Sequence, residues 1–90
     1  MKKQIVFIMV DSQSADMLGC YHNPDMKTPY LDTLSEEGLT FDSAFTCQPV
    51  CGPARSAIFT GLYPHSNGAW TNCVPLYDNV KTIGQRLRDH

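Results

Sequence analysis

No apolar run in this chain exceeds six residues, Ile5 to Val10. A helix that crosses a bilayer needs about 20, so the sequence carries no membrane span of that kind. Two lysines precede the run, but no small-residue cleavage site follows it and it ends on Asp11. It therefore reads as a strand and not as a secretion signal, which gives the expectation of a cytoplasmic chain. Basic charge is also in short supply: seven Lys and Arg are scattered against nine Asp and Glu, for a net charge of -2. That balance offers no electrostatic footprint for nucleic acid. There is no internal repeat, linker or low-complexity tract. Cysteine is limited to Cys20, Cys47, Cys51 and Cys73, and in a chain without a leader these read as free thiols and not as a disulfide framework.

What remains is 90 residues with 42% apolar and 18% charged content, a globular chain of at most one small domain. A chain of this length typically buries only about 60% of its unfolded surface, which leaves a core of its own marginal. The apolar, β-branched run at residues 4–10 has the pattern of a strand covered on both faces, as at the centre of a parallel sheet. At its carboxyl end stand Asp11, Ser12, Gln13 and Ser14, and ligands in open α/β sheets bind beyond strand carboxyl ends.

The segment TPYLDTLSEEG predicts a helix with Thr28 as N-cap, Pro29 at the first helical position, Leu31 and Leu34 on one face, and Gly38 as the stop. LTFDSAF alternates as a second strand. Pro53 to Phe59 predicts a short helix ending near Gly61, YPHSNG a turn, and Lys81 to His90 a further helix capped by Thr82. This order is α/β in character. The last helix has an apolar stripe with no following strand to cover, so residues 1–90 are read as the N-terminal portion of a larger catalytic domain without an internal boundary.

The chemistry concentrates at Cys51-Gly52-Pro53-Ala54-Arg55. With Cys51 at a helix N-terminus, Pro53 fixes the first turn, free amides point back at position 51, and Arg55 adds a permanent charge about one turn away. This is an anion-binding nook around a reactive side chain, and it would make a thiol nucleophilic. Cys47 lies four residues before Cys51, a spacing open to a zinc clip or a disulfide, but no second pair at ligand spacing accompanies it.

Cys51-x-Pro53-Ala54-Arg55 followed by Thr60-Gly61 resembles the signature of the sulfatases. The likeness extends in order through Asp11 at the end of the apolar strand, LGCY, KTPYLDTLSEEG and TGLYPHSNG, and so covers essentially the whole chain. It implies an alkaline-phosphatase-like fold, a mostly parallel sheet flanked by helices, incomplete in these residues. It further implies that Cys51 is oxidised by a separate formylglycine-generating maturation enzyme to an aldehyde. The hydrate of that aldehyde attacks the sulfur of a sulfate ester in line, and its second hydroxyl then releases sulfate. In the family a divalent cation acts as Lewis acid, here calcium first and magnesium second, held by Asp11 and the converted Cys51. Arg55 supports the developing charge. Many relatives have two adjacent acids where this chain has Asp11-Ser12, so that either Ser12 is a weak or absent ligand or Gln13 compensates for it. Further ligands lie downstream, so the segment alone is expected to be inactive.

The partners so implied are a sulfated small molecule or sugar, the maturation enzyme and the remainder of the domain, with neither nucleic acid nor membrane. CGPAR and NCVPL also resemble a branch that hydrolyses phosphonate monoesters or phosphodiesters with the same group. A small redox or metal-binding module built on Cys47 and Cys51 is the alternative of another class. Cys20 and Cys73 are expected as buried apolar residues, His22 at the surface, His65 structural or at a cleft rim, Trp70 in the core, and Asn72 beside a substrate pocket.

Overall fold

The computed structural model describes residues 3–90. Two compact units are distinguished, Met1–Ser43 and Ala44–His90.

In the first unit two short 3-10 turns, Ala15–Met17 and Gly19–Tyr21, precede helix α1, Pro29–Glu37. Its borders are those expected: Thr28 stands at the N-cap, Pro29 opens the helix and Gly38 ends it. The Thr28 hydroxyl does not cap its own helix. It donates to Asp32 Oδ1 at 2.9 Å and accepts the Gly19 N–H at 3.0 Å. This approach is possible only at a residue without a side chain, because a Cβ on Gly19 would lie 2.8 Å from Asp32 Oδ2 and 3.0 Å from the Met26 carbonyl. The Tyr21 hydroxyl donates to the Phe41 carbonyl at 2.7 Å. The phrase LGCY is thus wired to α1 on one side and to the segment after α1 on the other.

Both stretches expected as strands lack strand pairing, and no strand forms among the described residues. Residues 4–10 are irregular, with Ile5 90% and Ile8 80% exposed. LTFDSAF is interrupted by a bend at Asp42 and Ser43, and Leu39, Phe41 and Phe45 are exposed. The physical reason is the one that made the first run readable: a strand apolar on both faces is stabilised by ladder bonds and cover on each face. Neither is present within these residues. Leu31 and Leu34 on α1 are likewise exposed.

The second unit contains α2, Cys51–Thr60; α3, Pro64–Asn67; and α4, Ile83–Arg88. Helix α2 starts two residues earlier than Pro53. Val50 is extended and its carbonyl accepts the Ala54 N–H at 2.9 Å, while Pro53 sits where a helical N–H has no intrahelical partner in any case. The helix closes on Gly61 in the left-handed region at φ 71°, whose N–H donates to the Ala57 carbonyl at 2.8 Å. The expected turn at YPHSNG contains the single helical turn α3. Helix α4 is shorter than the expected 81–90 but begins at the expected cap: Thr82 N–H donates to Gln85 Oε1 at 2.8 Å and Gln85 N–H donates to Thr82 Oγ1 at 3.4 Å, a capping box.

The centre of this unit is polar. Asn67 has 0% exposure and Ala69 beside it 6%, with Pro53 and Pro64 also buried. The Asn67 amide nitrogen donates to Ser56 Oγ at 2.9 Å, Thr60 Oγ1 at 3.3 Å and the Leu62 carbonyl at 3.2 Å. Its amide oxygen accepts the Ala69 N–H at 2.8 Å, and its carbonyl accepts the Tyr77 N–H at 2.9 Å. The two hydroxyls have already committed their protons, Ser56 to the Pro53 carbonyl at 2.8 Å and Thr60 to the Ser56 carbonyl at 2.6 Å. They can therefore only accept from Asn67. Gly68 follows at φ 97°, and a Cβ there would meet Tyr77 N and Cγ at 2.9 Å.

Asn67→Asp conserves volume but faces these spent acceptors with a further acceptor. In the full-length protein it should cost on the order of 3 kcal/mol, read as a lowered denaturant midpoint. A cost below about 0.5 kcal/mol, the range of ordinary surface substitutions, would show that the amide is not the anchor of this unit.

Candidate active site

Cys51 is the first residue of α2 and is exposed. Its thiol donates to Asn72 Oδ1 at 3.3 Å, and the same oxygen accepts the Gly52 N–H at 2.8 Å. Asn72 therefore caps α2 from a separate loop, satisfying one of the first-turn amides that no intrahelical carbonyl reaches. The loop is tightly drawn there: Cys73, the next residue, lies in the left-handed region at φ 63° although it is not glycine. Gly52 leaves the space that Asn72 fills, since a Cβ on it would come within 2.6 Å of Asn72 Oδ1.

Arg55 is exposed and stands one helical turn after Cys51 on the same face of α2. Ser56 and Thr60, which hold Asn67, occupy the adjoining face. The helix end places partial positive charge at position 51 and the guanidinium adds a full one nearby. This arrangement can hold an anionic or strongly polar group on residue 51.

Asp11 lies in the first unit, exposed, at a bend that ends the apolar run. Ser12 after it takes a left-handed conformation at φ 55°, unusual for serine. Among the described residues no three His, Cys, Asp or Glu side chains converge in a way that could hold a metal ion.

The remaining expectations divide. All four cysteines are free; Cys20 is half-buried, but Cys73 is exposed and not a core residue, because the turn that delivers Asn72 carries it outward. Trp70 is exposed as well, the buried place on its segment being taken by Ala69. His22 is exposed as expected, and His65 stacks on Tyr63 with ring centroids 5.7 Å apart. No helix among the described residues is long and apolar enough to cross a membrane.

Residues 3–90 match the family model described as Sulfatase. The chain belongs to the sulfatase family. Membership implies the alkaline-phosphatase-like fold. The chain is 42% identical over 88 residues to a protein named "Uncharacterized sulfatase YidJ" from Escherichia coli, covering 98% of this chain and 18% of that one. It is 37% identical over 87 residues to an "Ulvan-active sulfatase" of Formosa agariphila, with 97% and 18% covered. It is 41% identical over 93 residues to the "Multifunctional alkaline phosphatase superfamily protein PehA" of Trinickia caryophylli, again with 97% and 18% covered. The chain thus spans about a fifth of the length of these relatives. No solved structure matches it.

Within the family signature, the sequence placed Cys51 at the N-terminus of the helix that carries Arg55 but did not reveal that Asn72 would touch Cys51. The signal was present in Gly52, a glycine inside a helical first turn, which marks a close approach by another group. The contact predicts non-additivity. Asn72→Ala should cost about 1 kcal/mol, the usual value of a lost cap. In a Gly52→Ala background, where the contact is already displaced, the same change should cost close to nothing. Equal costs in the two backgrounds, measured by denaturant unfolding of the full-length protein, would show that Asn72 does not cap α2.

Proposed function

We propose that residues 1–90 are the N-terminal portion, without an internal boundary, of the catalytic domain of a sulfuric ester hydrolase. The substrate class is a sulfated small molecule or sugar. The observation that carries this reading is the sulfatase match over residues 3–90 together with the exposed Cys51 at the first position of α2 and Arg55 one turn on. The exposed apolar run at residues 4–10 becomes, in this reading, an interior strand of a mostly parallel sheet whose other strands belong to the remainder of the domain. That remainder is also the source of the missing ligands and catalytic groups, so this segment alone is inactive.

The residues present suit the group that the family carries. An exposed thiol at a helix N-terminus is open to conversion by a maturation enzyme, and the site around it is built for a polar or anionic oxygen. Formylglycine at position 51 with a divalent cation would supply an activated oxygen nucleophile for the sulfate ester, the two being held by residue 51 and Asp11. A hard cation, calcium or magnesium, suits the carboxylate of Asp11 and oxygen on residue 51. Ser12 in its left-handed turn bends the chain directly after that carboxylate. Arg55 contributes a fixed planar charge with several donors toward the anionic oxygens of the ester, which a lysine would replace with a mobile point charge. Cys47 and Cys51 as a redox or zinc module have no support from the family match, and phosphonate monoesters are the alternative substrates to be assayed in parallel.

In the full-length protein, hydrolysis of 4-nitrophenyl sulfate should be lost on treatment with a strong chelator and restored by calcium or magnesium. Asp11→Ala should abolish most turnover while the unfolding midpoint stays near that of the parent. Arg55→Lys, with conversion of residue 51 verified by mass, should lower kcat on the order of ten- to a thousandfold with a smaller effect on KM. Parent rates in a fully converted Arg55→Lys variant would reduce Arg55 to a structural part of α2. Faster turnover of a phosphonate monoester than of any sulfate ester would overturn the substrate class.

A further inference from the structure

The orientation of the Asn72 carboxamide is fixed by a group that cannot change its role. The Gly52 N–H is a donor, and it holds Asn72 Oδ1 at 2.8 Å. Rotating the amide to present its NH2 would set donor against donor, so the oxygen stays turned toward the start of α2. The side chain at position 51 meets that same oxygen, at 3.3 Å in the thiol form. We propose that Asn72 is a positioning residue that selects a hydrogen-bond donor at position 51.

The thiol S–H satisfies this demand. Resting on the formylglycine reading above, the proposal extends to the converted residue. A free aldehyde offers only an acceptor and would face Asn72 Oδ1 acceptor to acceptor. Addition of one water across the C=O bond gives the geminal diol, whose two hydroxyls carry the water's two hydrogens, one as O–H and one on the former carbonyl oxygen. One of those hydroxyls can donate to Asn72. The carboxamide therefore favours the hydrated form, and it does so from a loop that Asn67 and Gly68 anchor against α2.

Two forms of the full-length protein test this. In the unconverted form, alkylation of Cys51 by iodoacetamide is followed by peptide mass, with exposed Cys47 as the internal reference. Asn72→Ala removes the acceptor and frees the Gly52 N–H toward sulfur, so Cys51 should react faster. Asn72→Asp keeps an acceptor for Gly52 but sets a negative charge beside the thiolate, so Cys51 should react slower, on the order of tenfold. A residue with a merely structural role would not move the two variants in opposite directions. In the converted form, capture of the aldehyde by an aminooxy probe should be about two- to tenfold faster in Asn72→Ala than in the parent, the worth of one net hydrogen bond. Equal Cys51 alkylation in parent and both variants overturns the proposal, and equal aminooxy capture overturns its extension to the converted residue. If no aldehyde is found at position 51 in any preparation, the formylglycine reading fails, and the alkylation series alone decides the role of Asn72.

Discussion

A single buried carboxamide organises the part of the chain that carries the chemistry. Asn67 lies wholly inside its unit and spends both amide protons and its oxygen on partners from α2, the α2–α3 connection and its own following strand of backbone. Such a group is costly to bury unless every bond is made, and here every bond is made, so the arrangement tolerates little variation. The apolar contribution nearby is small. Specific hydrogen bonding, more than a large hydrophobic core, defines the local geometry.

That anchor determines what reaches the start of α2. Asn67 grips the helix at Ser56 and Thr60, and five residues later Asn72 touches Cys51 and Gly52. The intervening backbone runs back along α2, whose ten residues measure about 15 Å. Gly68 permits the reversal at positive φ where Tyr77 leaves no space for a Cβ, and Ala69 keeps the segment close. Thr60 and Gly61, which close the signature motif, thus have distinct tasks. One accepts from the anchor, and the other ends the helix in a left-handed turn.

The local features legible in the sequence were those with local causes. Pro29 and Gly38 bound α1 because fixed φ and helix termination act within a few residues, whereas Thr28 holds the N-cap position with its hydroxyl bonded to Asp32 and Gly19 instead. Thr82 caps α4 as expected for the same local reason, and the structure adds Gln85 as the other half of a capping box. Pro53 and Arg55 were placed on one helix with Cys51 at its N-terminus, although α2 begins at Cys51 itself and not at Pro53. The two strands read from the sequence do not form among the described residues: an apolar run such as 4–10 becomes a strand only through partners on both sides, and the described residues supply none. Asn67 escaped notice because a polar residue in a turn ordinarily faces water; its burial depends on Ser56 and Thr60 eleven and seven residues away. Trp70 was assigned to the core by its size, yet the buried position belongs to Ala69, the only one of the two small enough to lie against the anchored turn.

The account stands on the claim that position 51 is a converted nucleophile site. Trypsin releases the peptide Thr28–Arg55, which contains Cys47 and Cys51 together. In full-length protein that is active on a sulfate ester, this peptide should be about 18 Da lighter than its unmodified mass, with fragment ions placing the whole loss at position 51 and leaving Cys47 intact. An active preparation in which both cysteines keep their full mass would contradict it.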